Sequence, residues 1–554
     1  MEDFLHTLVD NGFSAALVVA ETLDHVDDVL SEWPPVQLVL ITAIAVIALL
    51  SLHRWVWDSH LTLLERGKRK FFRMLRSAPY IGRKIQEELT TTKANIAKSS
   101  FKLPKGQSYQ TCLPQTGMGK DELMDCIKKN YKNVEEIAWQ EGKVSGTVYI
   151  GDENKELMGK VFEMFSGANL LQPGVFPGPR KMEAEIVAMC CNLFKGGPNA
   201  CGTTTSGGTE SLLLACLAYR EYAAAKGITK PEILLPDSGH AAFEKAAHMF
   251  DMRIVHSPLE KESYRADVKA LKKLISKNTC MIAISAPCFP HGIIDPVEDI
   301  AKLGIEYQIP VHIDMCMGGF LYPFLRMAGH DLPPADFSVP GVTSISADLH
   351  KYGLAPKGSS VLMYSDPKYR QGQFFVSTDW TGGIYASPTL AGSRSGAITA
   401  TAWASMMLQG VQGYIRHAES VVNMRQMIEE RLRKIPGLKV LGRPKMSQVC
   451  IVSEEFDIYR LGAGLTARGW QLYTVQKPAG LCLVVTDLLQ QHTARQLLSD
   501  VEECTAEIMK DPLAKAEGMA AIYGMAETLP DRSLVADFVC GYLDAFYSTD
   551  NQTE

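Results

Sequence analysis

Several short stretches of this 554-residue chain hold residues that could share one piece of chemistry. In SISADLHKYGLAPKGSS, residues 344–360, a strand-like run is followed by His350 and Lys351, a turn at Gly353 and Pro356, and a second lysine, Lys357. A lysine held at a strand end among apolar neighbours loses solvation, so its pKa is expected to fall. Its amine then becomes a nucleophile able to form a Schiff base with a carbonyl. In VHIDMCMGGF, residues 311–320, Asp314 ends an apolar run, where a carboxylate needs a cationic partner such as a protonated pyridine nitrogen. The ordinary use of such an Asp is to cap the next turn. In DSGHAAF, His240 follows a strand and could stack on a flat ring, although a single His is more often structural. In CGTTTSGGTES, residues 201–211, Gly207 and Gly208 lead into a helix, and the N–H groups around Gly208 and Thr209 suit a phosphate. A Gly-rich connector would look alike. Together a phosphate nest, an Asp, a His and a Lys describe pyridoxal phosphate (PLP), which none of them describes alone.

These residues need elements that bring them to one edge. EILLPDSGH, TCMIAISAPCFPHG, IPVHIDMCMGGF and TSISADLHK are apolar runs ending in Gly, Pro or polar residues, and helical stretches such as ESLLLACLAYREYAAAKG separate them. That alternation predicts an α/β fold with a mainly parallel sheet covered by helices, with ligands bound where strands give way to loops. After about residue 415, a long helical segment leads into LKVLGRP, SQVCIVS and GLCLVVTD, which predict a smaller α+β domain.

The net charge of −6 gives no general reason to expect a nucleic-acid partner. The 13 cysteines include no CxxC and no Cys/His cluster with zinc spacing, so no metal is expected and reduced, packed thiols are. The N-terminus is more informative. Residues 36–52, VQLVLITAIAVIALLSL, reach the short end of a bilayer-crossing length, with Trp33, Trp55 and Trp57 as interfacial anchors. Acidic residues precede the run, no Lys or Arg occurs before Arg54, and the basic RGKRKFFRMLR (66–76) follows it. Such asymmetry predicts a single-pass anchor with the N-terminus outside the cytosol and the catalytic body within it. The expected organisation is a lumenal segment (1–35), a transmembrane helix (36–57), a juxtamembrane and helical segment (58–144), a PLP-binding large domain (145–415), and a small domain with tail (416–554).

The order TSGGTES, HAAF, HIDMCMGGF, SISADLHKYGLAPKGSS and TDWTGGIYASPTLAGSR resembles the group II PLP-dependent decarboxylase superfamily, and within it the sphingosine-1-phosphate lyase family. The resemblance runs from the apolar N-terminal segment to IYGMAETLPDRSLV. It implies a fold-type I homodimer in the endoplasmic reticulum membrane. Lys351 would carry the cofactor, with Asp314 on the pyridine nitrogen, His240 stacked on the ring, and Gly208, Thr209 and His350 on the phosphate. Gly392 and Ser393 of the partner subunit would complete that phosphate site. Tyr149, Lys357 and Tyr385 resemble substrate-facing residues.

One departure stands out. The family usually reads Asn-Pro-Leu-His-Pro-Asp before FPG, whereas this chain reads ANLLQPGVFPG, keeping Asn169 but placing Gln172 where the His is expected. Gln donates a hydrogen bond but carries no charge. The implied activity is retro-aldol cleavage of the C2–C3 bond of a phosphorylated sphingoid base, giving a long-chain aldehyde and ethanolamine phosphate. The general base stays open among Tyr149, Lys351, His350 and a phosphate oxygen. An amino-acid decarboxylase using the same cofactor, and a catalytically weak membrane-bound paralogue, are the alternatives.

Overall fold

The apolar runs of the sequence become the strands of one central sheet. A computed structural model describes residues 107–132, 139–148, 150–514 and 532–549, with scattered positions between 34 and 91. The chain divides into two compact units, Met1–Ser77 and Ala78–Glu554.

In the second unit, β1 (Cys201–Thr205), β2 (Glu232–Pro236), β3 (Arg253–Ser257), β4 (Thr279–Ser285), β5 (Val311–Met315), β6 (Val342–Ala347) and β7 (Ser360–Tyr364) form a sheet of order β1-β7-β6-β5-β4-β2-β3. The pairings β3·β2·β4·β5·β6 are parallel, and β7 runs antiparallel to both β6 and β1. Two successive reversals restore the direction, so β1 ends at the same edge as β2, β5 and β6. That edge is where all the predicted loops emerge. Every residue of β2, β4, β5 and β7 is buried, as expected for strands covered on both faces. The helices Pro177–Leu193, Gly208–Ala224 and Val297–Tyr307 are among those that cover it.

β8 (Phe375–Ser377) and β9 (Tyr385–Ser387) make a separate hairpin. The helix Gly396–Leu432 then crosses the expected 415/416 boundary, broken at Gly410 (φ 55°, ψ −178°), a conformation that only glycine adopts cheaply. Beyond it β10 (Lys439–Val440), β11 (Gln448–Val452), β12 (Tyr473–Val475) and β13 (Gly480–Val484) form an antiparallel sheet of order β10-β11-β13-β12. The helices Ile458–Ala467 and Gln491–Ile508 complete this smaller α+β unit. Residues 144–146 join it: Ser145 N–H donates to Gln471 O (2.8 Å) and Gly146 N–H to Val484 O (2.9 Å).

Of the expected transmembrane stretch 36–57, residues 37, 40 and 42–49 are described, all helical, and the rest lies outside the described residues. Among the described residues no helix is long and apolar enough to cross a membrane.

Candidate active site

Lys351, Asp314, His240 and Lys357 line one cleft at the common strand edge, with Phe289, Met317 and Tyr473 as apolar and aromatic walls. Asp314 sits next to last in β5, buried, where its Oδ1 accepts the Cys316 N–H (2.9 Å). Two residues earlier on the same face, His312 is buried between Ser344 (Nδ1 to Oγ, 2.8 Å) and Ser346 (Nε2 to Oγ, 3.3 Å) of β6. Burial holds the His312 imidazole down to about 4 despite the pull of Asp314, so a neutral ring underlies the carboxylate. His240 follows β2, and its Nδ1 accepts the Ala242 N–H (3.0 Å), which leaves Nε2 carrying the hydrogen.

The nest and the lysine loop meet directly. A Cβ on Gly208, the first residue of the helix Gly208–Ala224, would lie 2.7 Å from Cys316 Sγ and 2.9 Å from both carboxylate oxygens of Asp348. One on Gly207 would lie 3.0 Å from His350 Cε1. Only glycine lets the chain pass this close, and the helix N-terminus with its free N–H groups is thereby set beside His350 and Lys351. Thr209 follows in the first turn, exposed.

His350 and the two lysines have distinct partners. His350 Nδ1 accepts the N–H groups of Gly358 (3.3 Å) and Ser359 (3.1 Å), so Nε2 carries the hydrogen and faces Asp348 Oδ2 at 3.4 Å. Lys351 Nζ lies 3.0 Å from the same Oδ2. Burial lowers the Lys351 amine, but the Asp348 carboxylate foremost, with Asp314 adding to it, outweighs that and holds it above an ordinary lysine. The expectation of a lowered pKa is corrected here: a buried carboxylate three residues upstream overcomes the desolvation. Lys357 Nζ donates to His350 O (2.9 Å) from the cleft rim and is lowered, by partial burial first and by the Lys351 charge next.

The remaining candidates form a second group outside this cleft. Asn169 Nδ2 donates to Ser393 Oγ (3.0 Å), and its Oδ1 accepts the N–H groups of Leu171 (3.0 Å) and Arg394 (3.2 Å). Gly392 lies against Tyr385, whose hydroxyl would be 2.5 Å from a Cβ there. Gln172 is exposed in the turn after Asn169, its N–H on Asn169 O (3.1 Å). Tyr149 lies outside the described residues, but its neighbours Gly146 and Val148 line the cleft. Asp348 was not singled out from the sequence, although an acid three residues before Lys351 at a strand end was a readable signal. Phe289 and Tyr473 gave none, since only the packing of the smaller unit against the sheet edge brings Tyr473 there.

The residues present fit PLP. The cleft joins an amine, a buried carboxylate and an imidazole, and a glycine-lined helix N-terminus lies against the lysine loop beside it.

Comparison with known proteins agrees. Residues 123–453 match the pyridoxal-dependent decarboxylase conserved domain. A sphingosine-1-phosphate lyase of Rattus norvegicus is 45% identical over 534 residues, covering 96% of this chain and 93% of that protein. One of Saccharomyces cerevisiae is 39% identical, covering 87% and 83%. Among solved structures, a sphingosine-1-phosphate lyase of Burkholderia pseudomallei superposes with a TM-score of 0.72 at 34% identity, covering 79% of this chain and 98% of that one. A Lactobacillus brevis glutamate decarboxylase, at 21% identity and a TM-score of 0.63, shares the fold. With two-thirds and more of each relative covered at these identities, the chain belongs to the pyridoxal-dependent decarboxylase family and, within it, to the sphingosine-1-phosphate lyases.

Proposed function

We propose that the protein is a carbon–carbon lyase that cleaves phosphorylated sphingoid bases between C2 and C3, releasing a long-chain aldehyde and ethanolamine phosphate. The observation that carries this reading is the convergence of Lys351, Asp314 and His240 on one cleft, with Lys357 at its rim. Bound PLP supplies an electron sink for the carbon left when the C2–C3 bond breaks. Lys351 would hold it covalently, and Asp314 would pair with its ring nitrogen. His240, its orientation fixed by the Ala242 N–H, would lie against the ring, and the Gly208–Thr209 N–H groups would take the phosphate. Lys357 is a compact cation for the substrate phosphate. The Gly358 and Ser359 N–H groups on its Nδ1 favour His350 as a donor over a role as the base. The base is then Tyr149, Lys351 or a phosphate oxygen.

The test is an assay of the purified protein with phosphorylated sphingoid base beside glutamate and aromatic amino acids. Aldehyde release from the first supports the reading, and CO2 release from the others sinks it.

We further infer a homodimer, because Gly392, Ser393, Asn169 and Tyr385 are not among the residues lining the cleft of their own chain and would serve the cleft of a partner. The charge asymmetry around residues 36–52 supports a single-pass membrane anchor with the catalytic body cytosolic, and the family resemblance is what points to the endoplasmic reticulum as that membrane. Protease protection in microsomes tests the topology.

A further inference from the structure

We propose that Asp348 is the positioning residue for Lys351: its buried carboxylate holds the Lys351 ammonium on the cleft floor and governs when that amine is free to react. The proposal rests on the reading of Lys351 as the cofactor-bearing residue.

The geometry is specific. Asp348 follows β6 directly, and its side chain is 1% exposed. Its Oδ2 lies 3.0 Å from Lys351 Nζ and 3.4 Å from His350 Nε2, while Oδ1 has no hydrogen-bond partner. Both oxygens press on Gly208, where a Cβ would come within 2.9 Å of each. The carboxylate is thus fixed by the end of a strand and the start of a helix, and the long Lys351 side chain is its adaptable partner. A buried carboxylate left without that cation would be costly, so the pair constrains Lys351 as much as it stabilises Asp348.

The other groups facing Lys351 do not replace Asp348. Cys316 is kept a neutral thiol by burial, with Asp314 and Asp348 adding to the effect. Tyr473 is likewise raised, by burial first. Asp314 raises the lysine less than Asp348 does, and Lys357 is a like charge. Among the described residues, Asp348 alone forms an ion pair with Nζ. Burial pushes the Asp348 carboxyl up, yet Lys351 first and His350 next hold it at about 2, so it stays charged at any working pH.

Lysine condenses with an aldehyde only as the free amine. Nζ gives one proton to solvent, adds to the carbonyl carbon, and one water leaves as the C=N bond forms. Asp348 therefore slows capture at neutral pH while keeping the amine at one place.

The experiment uses the cofactor-free full chain, modified with trinitrobenzenesulfonate across a pH series, with the Lys351 peptide quantified by mass spectrometry. The exposed Lys302, paired with Asp299, serves as a reference in the same digest. In the unaltered protein Lys351 should react with a midpoint above that of a free lysine, about 10.4. In Asp348→Asn the midpoint should move toward acid by at least about one pH unit, raising the rate below it about tenfold, with Lys302 unchanged. The visible band that grows on adding PLP should gain the same acid-shifted rate profile. Coincident Lys351 profiles in the two proteins overturn the proposal. A midpoint at or below that of free lysine in the unaltered protein also overturns it, and needs no variant to fold. If PLP raises no visible band in the unaltered protein, the reading of Lys351 fails, while the amine profile still decides the role of Asp348.

Discussion

Lys351 and Lys357 stand six residues apart in one loop, and their neighbours separate their work. Asp348 and Cys316 face the first, whereas the second reaches only the carbonyl of His350 and the open rim. Replacing Lys351 by Ala should abolish turnover and the visible cofactor band together. Lys357→Ala should keep the band and lose mainly affinity for phosphorylated substrate, roughly tenfold to a hundredfold in kcat/KM for one charge-assisted contact. Absorbance spectra and steady-state kinetics on both variants check the division, and equal loss of the band in both would refute it. Gln172 is exposed and its side chain is free to take a larger ring. Gln172→His should lower KM for phosphorylated substrate by roughly twofold to fivefold, the value of a surface charge contact, with kcat little changed. An unchanged KM would remove Gln172 from the substrate site.

The elements explain why residues scattered over more than a hundred positions meet. The parallel run β2, β4, β5 and β6 sends its loops to one edge, and the double reversal through β7 brings β1 to the same edge. There the start of the helix Gly208–Ala224 lies against Asp348 with no room for a side chain. Gly208→Ala should weaken PLP binding at least tenfold and destabilise the fold by about 1–3 kcal/mol, the usual cost of overpacking, despite the better helix propensity of Ala. Cofactor titration and thermal unfolding measure the two effects. The strands and this helix were legible because apolar runs ending in Gly, Pro and polar residues fix their type. The boundary near residue 415 was not, since the helix Gly396–Leu432 continues through it and breaks earlier, at Gly410.

For the molecule as a whole, buried histidines make stability depend on acid. Burial holds His291 and His312 down to about 4, while in the unfolded chain each protonates near 6.5. Between those values the unfolded chain binds more protons, so the free energy of unfolding falls as pH drops from about 6.5 toward 4. Asp295, pushed up to about 6 by burial against the N–H groups of Ser285 and Ala266, opposes this between 6 and its ordinary 3.8. Two histidines outweigh one carboxyl, so the denaturant midpoint should fall steadily over this range. His312→Asn should flatten the slope relative to the unaltered protein. A midpoint constant from pH 6.5 to 4 would contradict the assignment.

The sequence by itself determined the cofactor chemistry and the fold class, because a lysine, an acid, a histidine and a glycine nest are each local and each end an apolar strand. It also determined the family, through the order of those motifs. The tertiary structure decided how the groups are charged and which of them meet. Lys351 is raised and not lowered because Asp348 is buried against it, and a desolvation argument that considers the lysine alone cannot include that carboxylate. Asn169, Ser393, Gly392 and Tyr385 form a cluster of their own for a similar reason: contacts more than two hundred residues apart in the chain depend on how the sheet and its flanking loops close, and no local spacing encodes that.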